Sequence, residues 1–281
     1  MKNDFNYVNN NFEKASFVKP ELTVEDLTKA LYAVDLKLSK TNEKLNKSEQ
    51  LRSELISNLS HDFRSPITTL RSYVEYLLSF DKLDEKEVFT ILNQMNTKIL
   101  TLDYMMNEFF LFTSLEYSER SYHYETVNAK SYLEDFFITC KSDKKYIDRN
   151  LVLDLLNDFS YIISIDKIMF SILLDNLYTN ALKFSKTSDT ITLSATYRDD
   201  NIIISVSDTG MGIEEQHLDK IFDRTYMVSD SRTPSKDIGC GLGLSISKKI
   251  AETHKGKIWC ESTIHKGSTF FISIPIFSKI Y

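Results

Sequence analysis

The sequence predicts an α+β protein: an antiparallel two-helix hairpin that forms a dimeric four-helix bundle, followed by an α/β two-layer sandwich. Three observations predict it. A stripe of mostly apolar positions, Val24, Leu27, Leu31, Val34, Leu38, Thr41, Leu45, Ser48, Arg52, Leu55 and Leu59, recurs in alternating steps of three and four. A second amphipathic run, with Val88, Ile91, Met95, Ile99, Leu102, Met106 and Phe109, follows a short polar turn. Beyond residue 120 the texture changes, and strand-like runs interleave with helical ones.

Residues 1–20 are Asn-rich, end at Pro20 and read as a polar flexible tail. Residues 21–54 read as a coiled-coil or signalling helix, because a stripe so narrow cannot bury itself on a single helix. The other reading of that stripe is one helix packed on its own domain. Residues 55–118 form the hairpin, with a predicted bend just past residue 61, where Pro66 removes a main-chain donor. A turn at 80–86 leads into a helix over 85–116, and two copies of the hairpin would close a four-helix bundle.

The sandwich spans 122–278. Strands are predicted at Leu151–Leu155, Tyr161–Ile165, Thr190–Tyr197, Ile202–Ser207, Lys257–Thr263 and Ser268–Pro275, read as antiparallel. Arg198-Asp199-Asp200-Asn201 reads as the hairpin turn between two of them. Helices are predicted near 129–142, 166–185, 214–222 and 242–254, the last ending in a glycine at 256.

Composition excludes several classes. The 281 residues carry a net charge of −6, so nothing calls for a nucleic-acid partner. Cys140, Cys240 and Cys260 are odd in number and lack close pairing, which fits a reducing cytosol better than a disulfide framework or a zinc site. No apolar stretch reaches the roughly 18–20 residues of a membrane-spanning helix. The sequence therefore predicts a cytoplasmic protein with no transmembrane segment in this chain.

Glycine is the sharper clue. Average usage would give about twenty in a chain of this length; there are seven, none before residue 210. Gly210 and Gly212 follow Asp208 at a strand end, where the carboxylate can accept from an exocyclic amine of a flat ligand. Gly239, Gly241 and Gly243 directly precede a helix, where free N–H groups and the positive dipole end cradle an anion. Asn176 and Asn180, four apart on one helix face, stand beside Lys183 and Phe184. An amide oxygen suits a hard Mg²⁺ that keeps phosphate oxygens and waters, and lysine suits the phosphates. On the first long helix, His61 stands between apolar Leu59 and Phe63 with Asp62 beside it. Its imidazole can attack a phosphoryl group while a carboxylate holds the proton on the other nitrogen. Taken singly, each of these also has a plain structural reading: a β-turn, a helix cap, two solvent-facing amides, an inert surface histidine.

Together and in this order, over roughly 50–277, they resemble the sensor histidine kinases of two-component systems, with a HisKA-type dimerisation domain and a GHKL-type ATP-binding domain of the Bergerat fold. His61-Asp62-Phe63-Arg64-Ser65-Pro66 resembles the H-box, Asn176 through Phe184 the N-box, and Asp208 through Gly212 the first glycine box. Ile221-Phe222-Asp223-Arg224 is similar to the F-box, Gly239 through Ile246 to the second glycine box, and Gly267-Ser268-Thr269-Phe270 to the closing segment.

The resemblance implies an ATP-dependent autokinase. His61 would be the phospho-acceptor, Asp62 its orienting base, and Ser65 the hydroxyl that positions water for dephosphorylating the partner. ATP would be held by Asn176, Asn180, Lys183, Phe184, Asp208, Gly210, Gly212, Gly239, Gly241, Gly243 and Thr269, with Mg²⁺ on Asn180 and Thr269 near the adenine. The partners implied are a second copy of the chain and a response-regulator receiver domain. Some positions depart from the pattern. Thr225 and Met227 replace an aromatic and a basic residue, with Arg232 and Lys236 as possible substitutes, and Cys240 stands at a variable position. Related ATPases carry a glutamate base where this chain has Asn176, which cannot accept a proton from water. Two other readings stay open here: a phosphatase-biased regulator of a receiver protein, and a docking protein without chemistry.

Overall fold

Fifty-five consecutive residues, Val24–Leu78, form the first helix, α1. The computed structural model describes residues 24–79, 84–117, 122–156, 159–224, 226 and 241–279. The predicted tail 1–20, Gly239, Cys240, Thr225, Met227, Arg232 and Lys236 lie outside the described residues, as does most of the turn at 80–86. The chain divides into two units, residues 1–56 and residues 57–281.

In the first unit, α1 shows its heptad residues to solvent: Leu31, Val34, Leu38 and Leu45 are all exposed. Surface pairs such as Lys29–Glu25 at 2.8 Å add only about 0.3–0.5 kcal/mol each. Exposed leucines at this spacing are a seam without its complement.

In the second unit, α1 continues through Pro66, which is buried inside the helix and does not end it. A proline costs one main-chain donor, and a long helix tolerates that loss. Helix α2, Glu85–Tyr117, begins with Glu85 and Glu87 in its first turn, where negative charge complements the helix dipole. The Tyr76 hydroxyl on α1 donates to Glu87 on α2 at 2.7 Å, tying the two ends of the hairpin together. Ile91, Met105, Phe112 and Leu115 bury the inner side of α2, while Phe89, Leu92, Ile99, Leu100 and Phe110 remain exposed.

The sandwich follows as β1 (Glu125–Asn128), α3 (Ala129–Ser142), β2 (Asn150–Leu155), β3 (Tyr161–Ile165), α4 (Lys167–Phe184), β4 (Thr190–Arg198), β5 (Asn201–Asp208), α5 (Glu215–Leu218), α6 (Gly243–Thr253), β6 (Lys257–Thr263) and β7 (Gly267–Lys279). Among the described residues the strands form one sheet in the order β1-β3-β7-β5-β4-β2, with β6 also paired to β7. Asp199 and Asp200 both take positive φ between β4 and β5, as a primed hairpin turn requires.

Alternation fixes the buried face. Ile202, Ile204 and Val206 of β5 pair with Ile274, Ile272 and Phe270 of β7, and all six are buried. They meet α4, whose Phe170, Leu173, Leu174, Leu177 and Tyr178 are fully inaccessible, together with Leu133 of α3 and Ile250 of α6. Each such apolar side chain contributes about 1.5–3 kcal/mol.

Three expectations need correction. The strands are not all antiparallel: β2 runs parallel to β4, because β3 and α4 intervene as a crossover. Strand β1 has no counterpart in the sequence reading; it is four residues long and half exposed, too short to show alternation. The helix expected over 214–222 is only Glu215–Leu218, followed by turns to residue 224.

Candidate functional site

Helix α4 carries the first part of the site, and its start is unusually well tied. The Asp166 carboxylate caps it, accepting from the N–H of Ile168 and of Met169 at 3.1 Å, and also from His123 N–H. Those N–H bonds hold the Asp166 carboxyl below its usual range although burial, the largest influence, acts the other way. The Asp166 N–H donates to His254 Nε2 at 2.9 Å, so the ring hydrogen is on Nδ1, which donates to the Ile250 carbonyl at 2.7 Å. Burial lowers the His254 pKa, so this link between α4 and α6 rests on a neutral imidazole.

One face of α4 is core; Asn176, Asn180 and Lys183 lie off it. The Asn176 amide donates to the Gly243 carbonyl at 3.1 Å and to Ser247 Oγ at 3.4 Å, joining α4 to the start of α6. Asn180 is half-buried, and its side chain makes no hydrogen bond among the described residues. Lys183 Nζ stands 5.3 Å from the Phe184 ring centroid. The Phe184 carbonyl accepts from Met211 N–H at 3.1 Å, which docks the end of α4 against the turn after β5.

Asp208 ends β5 and is 5% exposed. Its Oδ1 accepts from Gly210 N–H at 2.9 Å. Burial raises its pKa most, opposed by the N–H groups of Gly210 and Ser268 and reinforced by the Asp189 charge. The glycines beside it serve the protein's own backbone. A Cβ at Gly210 would stand 2.2 Å from the Phe184 carbonyl oxygen. At Gly212, whose φ is 71°, an added Cβ would stand 2.2 Å from the Thr263 carbonyl oxygen. A ligand's approach was the sequence-based reason for these two residues; crossing main-chain segments are the reason the structure supplies.

At the start of α6, Gly241 has φ 67° and Gly243 is the first helical residue. Leu242 at the N-cap supplies no side-chain cap, so the leading N–H groups and positive dipole end fit an anion. Glu108 of α2 approaches here: its Oε1 would lie 3.2 Å from a Cβ at Gly243. Nearby, the Arg224 guanidinium sits 5.3 Å over the Phe112 ring of α2.

Thr269 and Asp208 line one pocket, one residue out of register with each other. Thr269 pairs with Ser207, and their hydroxyls lie 2.9 Å apart on the outer face of the sheet. Asp208 pairs instead with Ser268, which is buried on the inner face, with its hydroxyl 3.0 Å from Ser262 Oγ. A shift of one residue along a strand reverses the face. The signal was in the sequence, since Ser268 is in phase with apolar Phe270, Ile272 and Ile274 and Thr269 is not.

On α1, the His61 ring is 82% exposed, and its Nδ1 lies 3.4 Å from Asp62 Oδ1. That geometry leaves Nε2 open to solvent. Ser65 is exposed one turn later, and its carbonyl accepts from the Thr69 hydroxyl. Among the described residues, no cluster of three His, Cys, Asp or Glu side chains could hold a metal by itself. A metal here would need the amide oxygen of Asn180 together with phosphate oxygens, and the half-buried, uncommitted amide fits that role.

Comparison with known proteins bears on both regions. Residues 51–118 match the "His Kinase A (phospho-acceptor) domain" family, and residues 165–277 match "Histidine kinase-, DNA gyrase B-, and HSP90-like ATPase". The sensor histidine kinase WalK of Bacillus subtilis is 33% identical over 234 residues, covering 82% of this chain and 37% of WalK. The sensor protein SrrB of Staphylococcus aureus is 29% identical over 227 residues, covering 81% of this chain and 38% of SrrB. The chain thus spans a little over a third of the length of these curated relatives. Among solved structures, the Acinetobacter baumannii histidine kinase AdeS has a TM-score of 0.60 at 21% identity, covering 78% of this chain and 98% of its own. Histidine kinase ThkA in complex with response regulator TrrA has a TM-score of 0.63 at 22% identity, covering 85% of this chain and 66% of that one. At these identities the structural likeness shows the fold. No described helix is long and apolar enough to cross a membrane.

Proposed function

Because the chain belongs to the sensor histidine kinases of two-component systems, carrying their phospho-acceptor and ATPase domains, we propose that it is an ATP-dependent protein histidine autokinase whose acceptor is His61. The observation that carries this reading is the imidazole itself, 82% exposed with a carboxylate at Nδ1. Asp62 orients the ring and stabilises the cation that forms as Nε2 accepts the phosphoryl group. The ADP oxygen leaves as the new N–P bond forms, so positioning and charge neutralisation carry most of the catalysis.

In this reading Asn180 offers its amide oxygen to Mg²⁺, which supplies charge neutralisation at the phosphates. Lys183 and the uncapped start of α6, with Gly239, Gly241 and Gly243, hold the phosphates. Asp208 accepts from the adenine amino group through Oδ2, Ser268 supports that carboxylate, and Phe184 with Gly210 and Gly212 shapes the turn beside it. The domain assignment that goes with it is a signalling helix at 21–54, a dimerisation and phosphotransfer hairpin at 55–118 and a catalytic lobe at 122–278. A homodimer accounts for the exposed apolar residues of α1 and α2, which a second hairpin would cover. The onward acceptor is an aspartate of a response-regulator receiver domain, the class of partner named in the ThkA complex. Ser65 keeps a hydroxyl one turn from His61, which supports a return reaction that dephosphorylates that partner.

The test is incubation with γ-labelled ATP and Mg²⁺. The expected product carries one acid-labile, alkali-stable label per chain, absent from His61→Gln and formed by the parent only with the metal. Label that persists in His61→Gln, or no label in the parent, overturns the assignment.

A further inference from the structure

The start of α6 is the anion cradle of the proposed nucleotide site, and the chain brings a carboxylate of its own to it. Glu108 of α2 is only 7% exposed. Its Oε1 would lie 3.2 Å from a Cβ at Gly243, the first residue of α6, and the Asn176 amide carbon and nitrogen flank the same point at 3.7 and 3.8 Å. The Tyr104 hydroxyl, one turn back on α2, donates to that Oε1 at 2.9 Å. Tyr104 therefore fixes the side chain in place without removing its charge. The helix dipole favours negative charge in the first turn, so Glu108 draws on the same electrostatic feature that the site offers to phosphate.

A second contact runs alongside. One turn further along α2, the Phe112 ring lies 5.3 Å under the Arg224 guanidinium and is 4% exposed. A cation of the sandwich is thus held against the hairpin by a ring face. Both contacts belong to the packing of α2 on α6 and its neighbours. A bound triphosphate would bring several negative charges to the place where Glu108 already stands. Like charges a few ångströms apart repel strongly where water is largely excluded, as it is around Glu108.

We infer that Glu108 is an autoinhibitory carboxylate: with α2 docked it stands in for a phosphate at the start of α6, so the docked hairpin and a bound nucleoside triphosphate weaken one another. The inference rests on the nucleotide reading of this site. Coupling of this kind is reciprocal. By whatever factor docking weakens the nucleotide, the nucleotide weakens docking, and the triphosphate favours release of Phe112 from Arg224.

The test is calorimetric titration of a non-hydrolysable ATP analogue, and separately of adenosine, into the full chain with Mg²⁺. Glu108→Gln removes the charge, and its amide oxygen still accepts from Tyr104. This variant should bind the analogue about 10-fold more tightly than the parent, and adenosine, which has no phosphate, within about 2-fold of it. Asp103→Asn removes an exposed carboxylate from the same helix and should bind both ligands as the parent does. In the parent, the analogue should also raise hydroxyl-radical labelling of the Phe112 ring, and adenosine should not. Equal analogue affinity in Glu108→Gln and the parent, the same gain for adenosine, or the same gain in Asp103→Asn overturns the inference and leaves the nucleotide site standing. So does Phe112 labelling that the analogue leaves unchanged. A parent and variants that bind neither ligand remove the nucleotide reading, and the inference with it.

Discussion

Gly210→Ala asks whether the first glycine box is built for a ligand or for the chain itself. The added methyl would stand 2.2 Å from the Phe184 carbonyl oxygen and 2.8 Å from Asp208 Oδ1. Neither atom can swing away: one is main chain at the end of α4, and the other is held by the Gly210 N–H at 2.9 Å. Overpacking of this kind costs about 1–3 kcal/mol. Moving the turn to relieve it would break the Met211 N–H bond to Phe184, about 1 kcal/mol, and weaken the charge-assisted bond to Asp208, about 1.5–3 kcal/mol. Part of each is lost, giving about 3–5 kcal/mol against a total of about 5–15 kcal/mol. A domain of this size then melts on the order of 10 °C lower. Gly243→Ala is the comparison, because its nearest neighbour is the end of the Glu108 side chain at 3.2 Å rather than main chain at 2.2 Å. Alanine in a helix is also favoured by about 1 kcal/mol, so its melting temperature should stay within a few degrees. Thermal melts of both variants and the parent, without nucleotide, provide the measurement. If Gly210→Ala melts with the parent and loses only nucleotide affinity, the backbone-contact argument is wrong and the ligand explanation returns.

Three further outcomes are expected. Asp208→Ala should weaken nucleotide binding at least about 10-fold by removing the acceptor at the end of β5, and Thr269→Val, on the opposite face, should change it less than about 2-fold; fluorescence titration with a nucleotide analogue distinguishes them, and the reverse order would refute the face assignment. The folded His254 pKa is lowered, so the unfolded chain takes up its proton first: stability is fully present above about pH 6.5 and is lost as pH falls from there towards the folded value. Melting temperature should drop between pH 7 and 5 in the parent and drop less in His254→Gln; parallel slopes would exclude the ring as the cause. Burial pushes the Cys140 and Cys260 thiols up to about 12, so iodoacetamide at pH 8 should leave both unmodified until urea is added; peptide mapping that finds either one labelled in folded protein would contradict this.

Much of the fold was legible because its periods are strong and long. Fifty-five residues of α1 and thirty-three of α2 give a helical repeat many chances to register. Strands β4 and β7 alternate over their central residues, where every second side chain is buried. What failed to show was short or relational. Strand β1 is four residues long, and its place beside β3 is a long-range pairing that no local pattern encodes. The parallel register of β2 with β4 is equally non-local. Within the site, Asp208, Asn180 and the glycines were visible as residue types at fixed spacings. The approach of Glu108 to Gly243 was not, because 135 residues of chain separate them and only the docked hairpin brings them together.

Asn176 joins these levels. From the sequence it is notable for what it cannot do: an amide takes no proton from water, so a bound nucleotide would wait for a better nucleophile. The structure adds a packing reason that points the same way. Its amide nitrogen donates to the Gly243 carbonyl and to Ser247 Oγ. A carboxylate has no hydrogen to donate to a carbonyl oxygen; it would face that oxygen as charge against dipole, with Glu108 already beside Gly243. Leaving that contact unmade costs about 1–3 kcal/mol, borne by the link between α4 and the start of α6. The same amide that withholds a base from water therefore holds the middle of α4 to the start of α6, which frames the proposed phosphate cradle. A glutamate at 176 would bring a base only by loosening the site that positions its substrate.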